Sequence, residues 1–382
     1  MLKKFFEKTK YEACILVFLV VELVTFAPST ERATIWQWLL YLGDYSHGYM
    51  PRAFLGEVLS WFSDTLTVSL LYNLSYVVCT IMCFAIAVIG GQIIKKAENK
   101  VPAIGITAIM VSSPIFMPVM AGWLGITDIY LILLTLVAFA FNENKIMRYL
   151  IPAITLLCVA IHHAYMFLYM VPIAIALLYD FFKNKKYVRD GLLCGVTYAS
   201  LIAFALFTVR SRNLIGFDSI DDMIAFMKQK AEFDLDAEWL KSIMGNEYFT
   251  GVDYLSNNVT SSMSASNLLG LAVIFAPLFV LFAYGWISAI KTSEKKEEKF
   301  VFFLCLIHPL STIPAYIFGL NWNRWTSAII TSQCILYLFM LYRKNKTVTC
   351  IADKTAELFK RNFIPVIFYF IYYVSFAKLL GN

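Results

Sequence analysis

Apolar residues run along this chain in long blocks, separated by short charged or turn-forming segments. Eleven blocks read as membrane spans: 11–28, 66–92, 102–121, 128–141, 149–162, 165–182, 190–210, 267–290, 300–319, 325–342 and 362–380. The pattern therefore predicts an all-α, polytopic integral membrane protein forming a single transmembrane domain over 1–382. The blocks 128–141 and 149–162 are short. At 1.5 Å per residue each reaches about 21 Å, against a hydrocarbon core of about 30 Å. Asp128 and His162, at their outer ends, are then expected below the outer membrane surface, where a polar group must line a wet cavity or find a partner. In the block 300–319, His308-Pro309 and Pro314 predict a kink, since each proline removes a helical hydrogen bond.

Lys and Arg set the orientation. The segments 1–10, 93–101, 142–148, 183–189, 291–299 and 343–361 carry 23 of the 32 basic residues. Cytoplasmic loops carry that excess, which places the N-terminus inside and the C-terminus outside. MLKKFF followed by an apolar run reads as a signal anchor, because no small-residue cleavage site follows.

Two outer segments stand out. The first external loop, 29–65, contains GDYSHGYMPRAFLGEVLSWFSD, and its residues 51–64 read as an interfacial amphipathic helix. Pro51 suits a first helical position, and Phe54, Leu55, Val58, Leu59 and Phe62 recur at helical spacing. Arg52 would then sit in the first turn, where the helix dipole disfavours a cation and a bound phosphate would remove the conflict. The alternative is an Arg that snorkels to lipid phosphate. The second segment, 211–266, reads as two short amphipathic helices. One starts at Ser219 and carries Ile220, Met223, Ile224 and Met227; the other carries Trp239, Leu240, Ile243 and Met244 and stops at Gly245. The pair is either a lid or an interfacial packing element. Asn258-Val259-Thr260 matches a glycosylation sequon by chance.

Composition agrees with a membrane protein: 60% of residues are hydrophobic and 15% charged, against roughly 25% charged in soluble domains. The net charge of +6 is spread over short loops and carries no nucleic-acid signature. Seven of the eight Cys lie in apolar spans and read as small core residues. The chain has no Walker loop, dinucleotide fingerprint, metalloprotease His motif or GxSxG.

Candidate chemistry gathers on one side. His47, His162 and His163 fall in outer segments, as do seven of the eight Trp. Asp44 reads as a general base or as a turn-capping carboxylate; Asp128 reads as a second carboxylate or as an ordinary first-turn helix residue. Arg52 and Arg324, with His162 and His163, suit a phosphate or pyrophosphate. His47, Tyr49, Trp123, Trp322 and Trp325 are candidate sugar-binding residues, since aromatic faces stack on sugar C–H groups; belt or core packing is the alternative. No cofactor is expected. Asp44, His47, Asp128 and His162 allow a divalent metal, but no ligand spacing supports one. Glu22, inside the first span, should face the bundle.

With Asp44 ahead of the 51–64 helix, and with HGYMPRAFLGEVL, IHHAYMFLYMVP and GLNWNRW on the outer side, the chain resembles GT-C-like membrane glycosyltransferases and bacterial O-antigen or capsular polysaccharide polymerases. The resemblance covers most of the chain in topology and about 40 residues in motif, and it lacks a paired-Asp motif and a large soluble domain. It implies a bacterial inner-membrane enzyme with an external site, a polyprenyl-linked sugar donor, a glycan acceptor and lipid as its surroundings. Asp44 would take the acceptor proton, and the Arg and His residues would stabilise the departing phosphate. A transporter or flippase of a lipid-linked glycan or other solute, and a membrane acyltransferase, are the competing readings.

Overall fold

The structure is a computed structural model and describes residues 2–32, 35–210, 216–241, 265–318 and 322–375. Among these residues the chain is helical, with an isolated bridge between Leu66 and Ala231 and no strand. In chain order the helices are α1 (Leu2–Phe26), α2 (Phe54–Ser60), α3 (Val68–Lys96), α4 (Lys100–Val111), α5 (Met117–Gly122), α6 (Asp128–Asn142), α7 (Ile151–Ile161), α8 (Tyr165–Leu168) and α9 (Met170–Asn184). They continue with α10 (Tyr187–Arg210), α11 (Ile220–Lys230), α12 (Ala237–Leu240), α13 (Ala265–Thr292), α14 (Lys296–Ile307), α15 (Ile313–Phe318), α16 (Trp322–Tyr342), α17 (Lys346–Arg361) and α18 (Phe363–Ser375).

Five helical stretches are long and apolar enough to cross a membrane: Val68–Lys96, Val188–Phe207, Gly270–Thr292, Lys296–Tyr316 and Trp322–Tyr342. The bundle turns apolar side chains outward. On α3, Val77, Ile81, Phe84 and Val88 are exposed at a helical spacing, and α10, α13 and α18 present similar faces. A soluble protein does not expose apolar stripes of that extent, so this perimeter is what a membrane protein turns to lipid.

The axis of the bundle is α16, which is buried along nearly its whole length. Several of its buried polar residues are paired within the protein, as burial in an apolar core favours. Gln333 accepts from Trp286 Nε1 at 2.7 Å and donates to the Cys305 carbonyl at 2.9 Å, fixing α16 to α13 and α14. Thr326 and Tyr316 share a hydrogen bond of 2.7 Å between α16 and α15.

The two ends differ in chemistry. One end joins the Lys- and Arg-rich segments. Arg343 holds Asp180 at 2.5 Å and Glu143 at 3.0 Å, and Asn142 donates to Asp180 at 2.7 Å. Buried Arg148 lies 3.5 Å from Asp190, and Lys96 donates to the Tyr342 hydroxyl at 2.8 Å. Segments that the charge pattern places on one side thus meet one another. The other end carries the first loop. There Trp38, Tyr41, Leu42, Met50, Leu66 and Leu71 form a second apolar cluster with Met223, Ile224 and Met227 of α11.

Several elements depart from the expected boundaries. The block 102–121 is two helices, α4 and α5, separated by a turn at Ser112-Ser113-Pro114, where proline interrupts the ladder and the Ser112 hydroxyl donates to the Ala108 carbonyl. The block 165–182 divides into α8 and α9. The kink at His308-Pro309 is a 3-10 turn spanning His308–Thr312 between α14 and α15. The segment 343–361, expected as a loop, is largely α17, capped by Asn345 accepting from Val348 N–H and burying Val348, Ile351 and Ala352. The expected 51–64 helix is only α2. Arg52 has φ +66°, so the chain turns before the helix starts; Arg52 lies outside it and the first-turn argument fails.

Candidate functional site

Of the candidate residues on the side expected to face outward, the structure brings Asp128, His162, His163, Arg324 and Arg52 to one place. Arg324, in the first turn of α16, donates through Nε to Asp128 Oδ2 at 3.0 Å and also contacts it through Nη2. Asp128 opens α6 and is completely buried; Arg324 is nearly so, and its guanidinium lies 4.8 Å from the Trp325 ring centre. The helix start suits the carboxylate, because the N-terminal N–H groups carry partial positive charge. Among the described residues Asp128 Oδ1 and the Tyr169 hydroxyl, both buried, have no hydrogen-bond partner, and Tyr169 lies in the field of Asp128 and Arg324.

Beside this pair stands His162, where α7 ends and the chain turns extended. The Ala164 N–H donates to His162 Nδ1 at 3.1 Å. That leaves the ring proton on Nε2. Arg52 Nη1 stands 3.5 Å from the same Nε2, so two donors face each other across the gap. One oxygen lying to the side of both nitrogens would accept from both. His162 also feels the positive charge of Arg52 and Arg324 together, and His163 lies alongside with its ring centre 5.2 Å away. The unusual backbone of Arg52, held between buried Pro51 and Ala53, is what aims its side chain at α7.

Asp44 and His47 lie in the neighbouring apolar cluster rather than in this group. Asp44 Oδ1 accepts from the Ser46 N–H at 2.9 Å and from the Ser46 hydroxyl at 2.5 Å, and its Oδ2 accepts from Lys230. Burial alone would raise this carboxyl, but Lys230 and Ser46 outweigh it and hold Asp44 below its usual value. A carboxylate so saturated is a weak base while Lys230 stays in place. His47 Nδ1 is 2.9 Å from the Ser46 hydroxyl, and its ring stacks on Phe217 at 4.8 Å and meets Phe226 edge-on at 4.7 Å. Tyr49 is half-buried against Phe207 at 4.7 Å.

The α11 region is stitched to the first loop at several points. Leu66 N–H donates to the Lys230 carbonyl at 2.7 Å, Glu232 N–H to the Leu66 carbonyl at 3.0 Å, and Gly216 N–H to the His47 carbonyl at 2.6 Å. Ser219 caps α11 by accepting from Asp222 N–H at 3.2 Å. Of the second expected helix only α12 falls among the described residues; Ile243, Met244, Gly245 and the sequon at 258–260 lie outside them, as does Asn321.

The aromatic expectations divide. Trp322 and Trp325 are buried, so neither offers an open ring face to a sugar in this arrangement, and Trp123 is half-buried. Among the described Trp side chains, Trp61 is exposed, at 68%. The side chains of Trp36 and Trp239 are outside those described. Trp38 is packed against Gly125, whose φ of +102° and lack of a side chain allow the close approach. Asp44, His47, Asp128 and His162 do not converge as ligands, and no group of three or more His, Cys, Asp or Glu suited to a metal occurs among the described residues. Lys230 and Tyr169 were not singled out in the sequence; nothing local marks either, since each matters through a partner distant in the chain.

Set against known family models, curated proteins and solved structures, the chain has no match in any of the three.

Proposed function

We propose that this protein transfers a glycosyl group at the outer face of a bacterial inner membrane, from a polyprenyl-phosphate-linked donor to a glycan acceptor, in surface polysaccharide assembly. The reading takes the chain through the membrane eleven times with its N-terminus inside. The observation that carries it is the facing pair of donors, Arg52 Nη1 and His162 Nε2, beside the buried Asp128–Arg324 pair at the end opposite the Lys- and Arg-rich segments. Such a group suits an anionic oxygen that gains charge as a bond breaks.

In this reading the donor phosphate rests between Arg52 and His162, with Arg324 behind them. Binding draws Lys230 away from Asp44. Asp44 then takes the proton of the acceptor hydroxyl, whose oxygen attacks the anomeric carbon. The bond from that carbon to the phosphate oxygen breaks, and the phosphate keeps the electron pair, met by the Arg52 and His162 N–H groups. Binding of a polyprenyl phosphate to the protein in vesicles tests the phosphate site. Arg52→Ala should weaken it about 10-fold or more, the value of a charged hydrogen bond. Equal binding by wild type and Arg52→Ala would overturn the assignment.

The second reading is a transporter or flippase of a lipid-linked glycan. It is favoured by Glu22, nine-tenths buried with Oε2 unpartnered among the described residues, and by the interruptions at 112–116 and His308–Thr312. Transport would move an intact glycan and leave its linkages unchanged, whereas transfer makes a new one.

A further inference from the structure

At the Lys- and Arg-rich end, away from the candidate site, a cleft of about 260 Å³ opens between α3, α4, α6 and α16. Its deep part is walled by Ile86, Ile89, Met110, Leu136, Ile335 and Leu338. Its polar residues lie at one end: Gln92, Lys96, Glu143 and Tyr342 belong to the C-terminal ends of α3, α6 and α16. The cleft also opens sideways, since Val88 on its wall is 51% exposed on the apolar perimeter. From Ile86 to Lys96 the α3 axis advances about 15 Å. That is about half of a hydrocarbon core of about 30 Å, the depth of one leaflet.

The charges at the mouth are not balanced. Glu143 and Asp180 are both held by Arg343. Lys96 has the Tyr342 hydroxyl as partner and lies 4.7 Å from that ring, with no carboxylate in salt-bridge reach among the described residues. Lys183 donates to the Arg343 carbonyl at 3.1 Å and likewise lacks a carboxylate in reach. Lys96 and Lys183 both act on Glu143, so they flank the same mouth. An apolar slot one leaflet deep, open to the perimeter and headed by two lysines that form no salt bridge among the described residues, is complementary in shape and charge to an anionic amphiphile.

We propose that this cleft holds one acyl chain of an anionic phospholipid of the surrounding leaflet, with its phosphate on Lys96 and Lys183. The site is independent of the glycosyl-transfer reading and stands or falls without it.

The test uses full-length protein in detergent, titrated with phosphatidylglycerol or phosphatidylcholine and read by native mass spectrometry. A phosphatidylglycerol carrying a photoreactive acyl chain maps the contact by peptide analysis. Wild type should prefer phosphatidylglycerol, and Lys96→Glu should lower that preference by about 5-fold or more, as expected for at least one charge contact near a lipid surface. Crosslinks should fall on α3, α6 and α16 and be lost in Ala140→Trp, which fills the cleft from an exposed position on its wall. Lys228→Glu, an exposed charge on α11 at the other end of the bundle, should leave both readouts unchanged. Equal binding of the two lipids by wild type, or crosslinks that persist in Ala140→Trp, would overturn the proposal.

Discussion

Lys230, the last residue of α11, pairs with the Asp44 carboxylate, 186 residues earlier, and ties the α11 segment to the loop ahead of α2. The pair joins the two halves of an apolar cluster separate from the main bundle core. It also sets what Asp44 can do, because a carboxylate that accepts from Lys230 and twice from Ser46 has little capacity left for a substrate proton.

The contact should be sensitive to acid. Asp44 titrates below its usual value of 3.8, since Lys230 and Ser46 outweigh the effect of burial. A depressed folded-state value means that the stabilisation is present above the unfolded value and is lost as pH falls through the folded one. Hydrogen exchange of α11, corrected for intrinsic rates, should be level above about pH 5 and rise below about pH 4. Asp44→Asn should loosen α11 by about 1–3 kcal/mol at neutral pH. Unchanged α11 protection in that variant would show that the pair does not hold the segment.

Arg324 and Asp128 should behave as a unit. Removing Arg324 alone leaves a buried carboxylate without a cation, which costs about 3–5 kcal/mol. Arg324→Met should therefore unfold well below wild type in a thermal melt in detergent. The double variant Arg324→Met with Asp128→Leu should recover much of the loss. Additive losses in the double variant would contradict the pairing.

Glycines separate two situations. A Cβ on Gly56 would collide with the Gly43 and Tyr41 carbonyls, so Gly56→Ala forces α2 off the 3-10 turn Ile35–Tyr41 and should cost about 1–3 kcal/mol. Gly105, in α4, has nothing within 4 Å of the corresponding point. Gly105→Ala should be neutral or stabilise by up to about 1 kcal/mol, as in other helix interiors. Thermal melts of the two variants make the comparison.

Gln333 is expected to be the most costly uncharged polar residue to lose on α16. Gln333→Leu strips the partner from the buried Trp286 N–H and from the Cys305 carbonyl. The loss should be about 1–3 kcal/mol per orphaned group, and Trp286 fluorescence should shift as its hydrogen bond is lost. A wild-type melt with an unshifted spectrum would contradict this role.

What the sequence makes legible is the apolar pattern. The blocks around 68–96, 188–207, 270–292 and 322–342 are recognisable from hydropathy alone, and His308-Pro309 marks an interruption through proline chemistry. The candidate residues Asp128, His162, Arg52 and Arg324 are legible as types in segments that the charge pattern leads one to expect outside. Their partners are not, because Arg324 meets Asp128 across 196 residues and Arg52 meets His162 across 110, and only tertiary packing sets such pairs. The left-handed turn at Arg52 has no sequence mark, since glycine is the usual choice there. The helix α17 does have one: Val348, Ile351 and Ala352 recur at helical spacing after an Asn cap, but its charged residues make it read as a loop.

The most direct measurement is mass spectrometry of lipid-linked and surface glycans from the native host. Cells lacking this protein would be compared with cells carrying wild type, Arg52→Ala or Asp44→Asn at matched membrane levels. The account predicts that donor or single repeat units accumulate without the protein, that wild type clears them, and that neither variant does. Glycans unchanged in every strain, or full rescue by both variants, would contradict glycosyl transfer at this site.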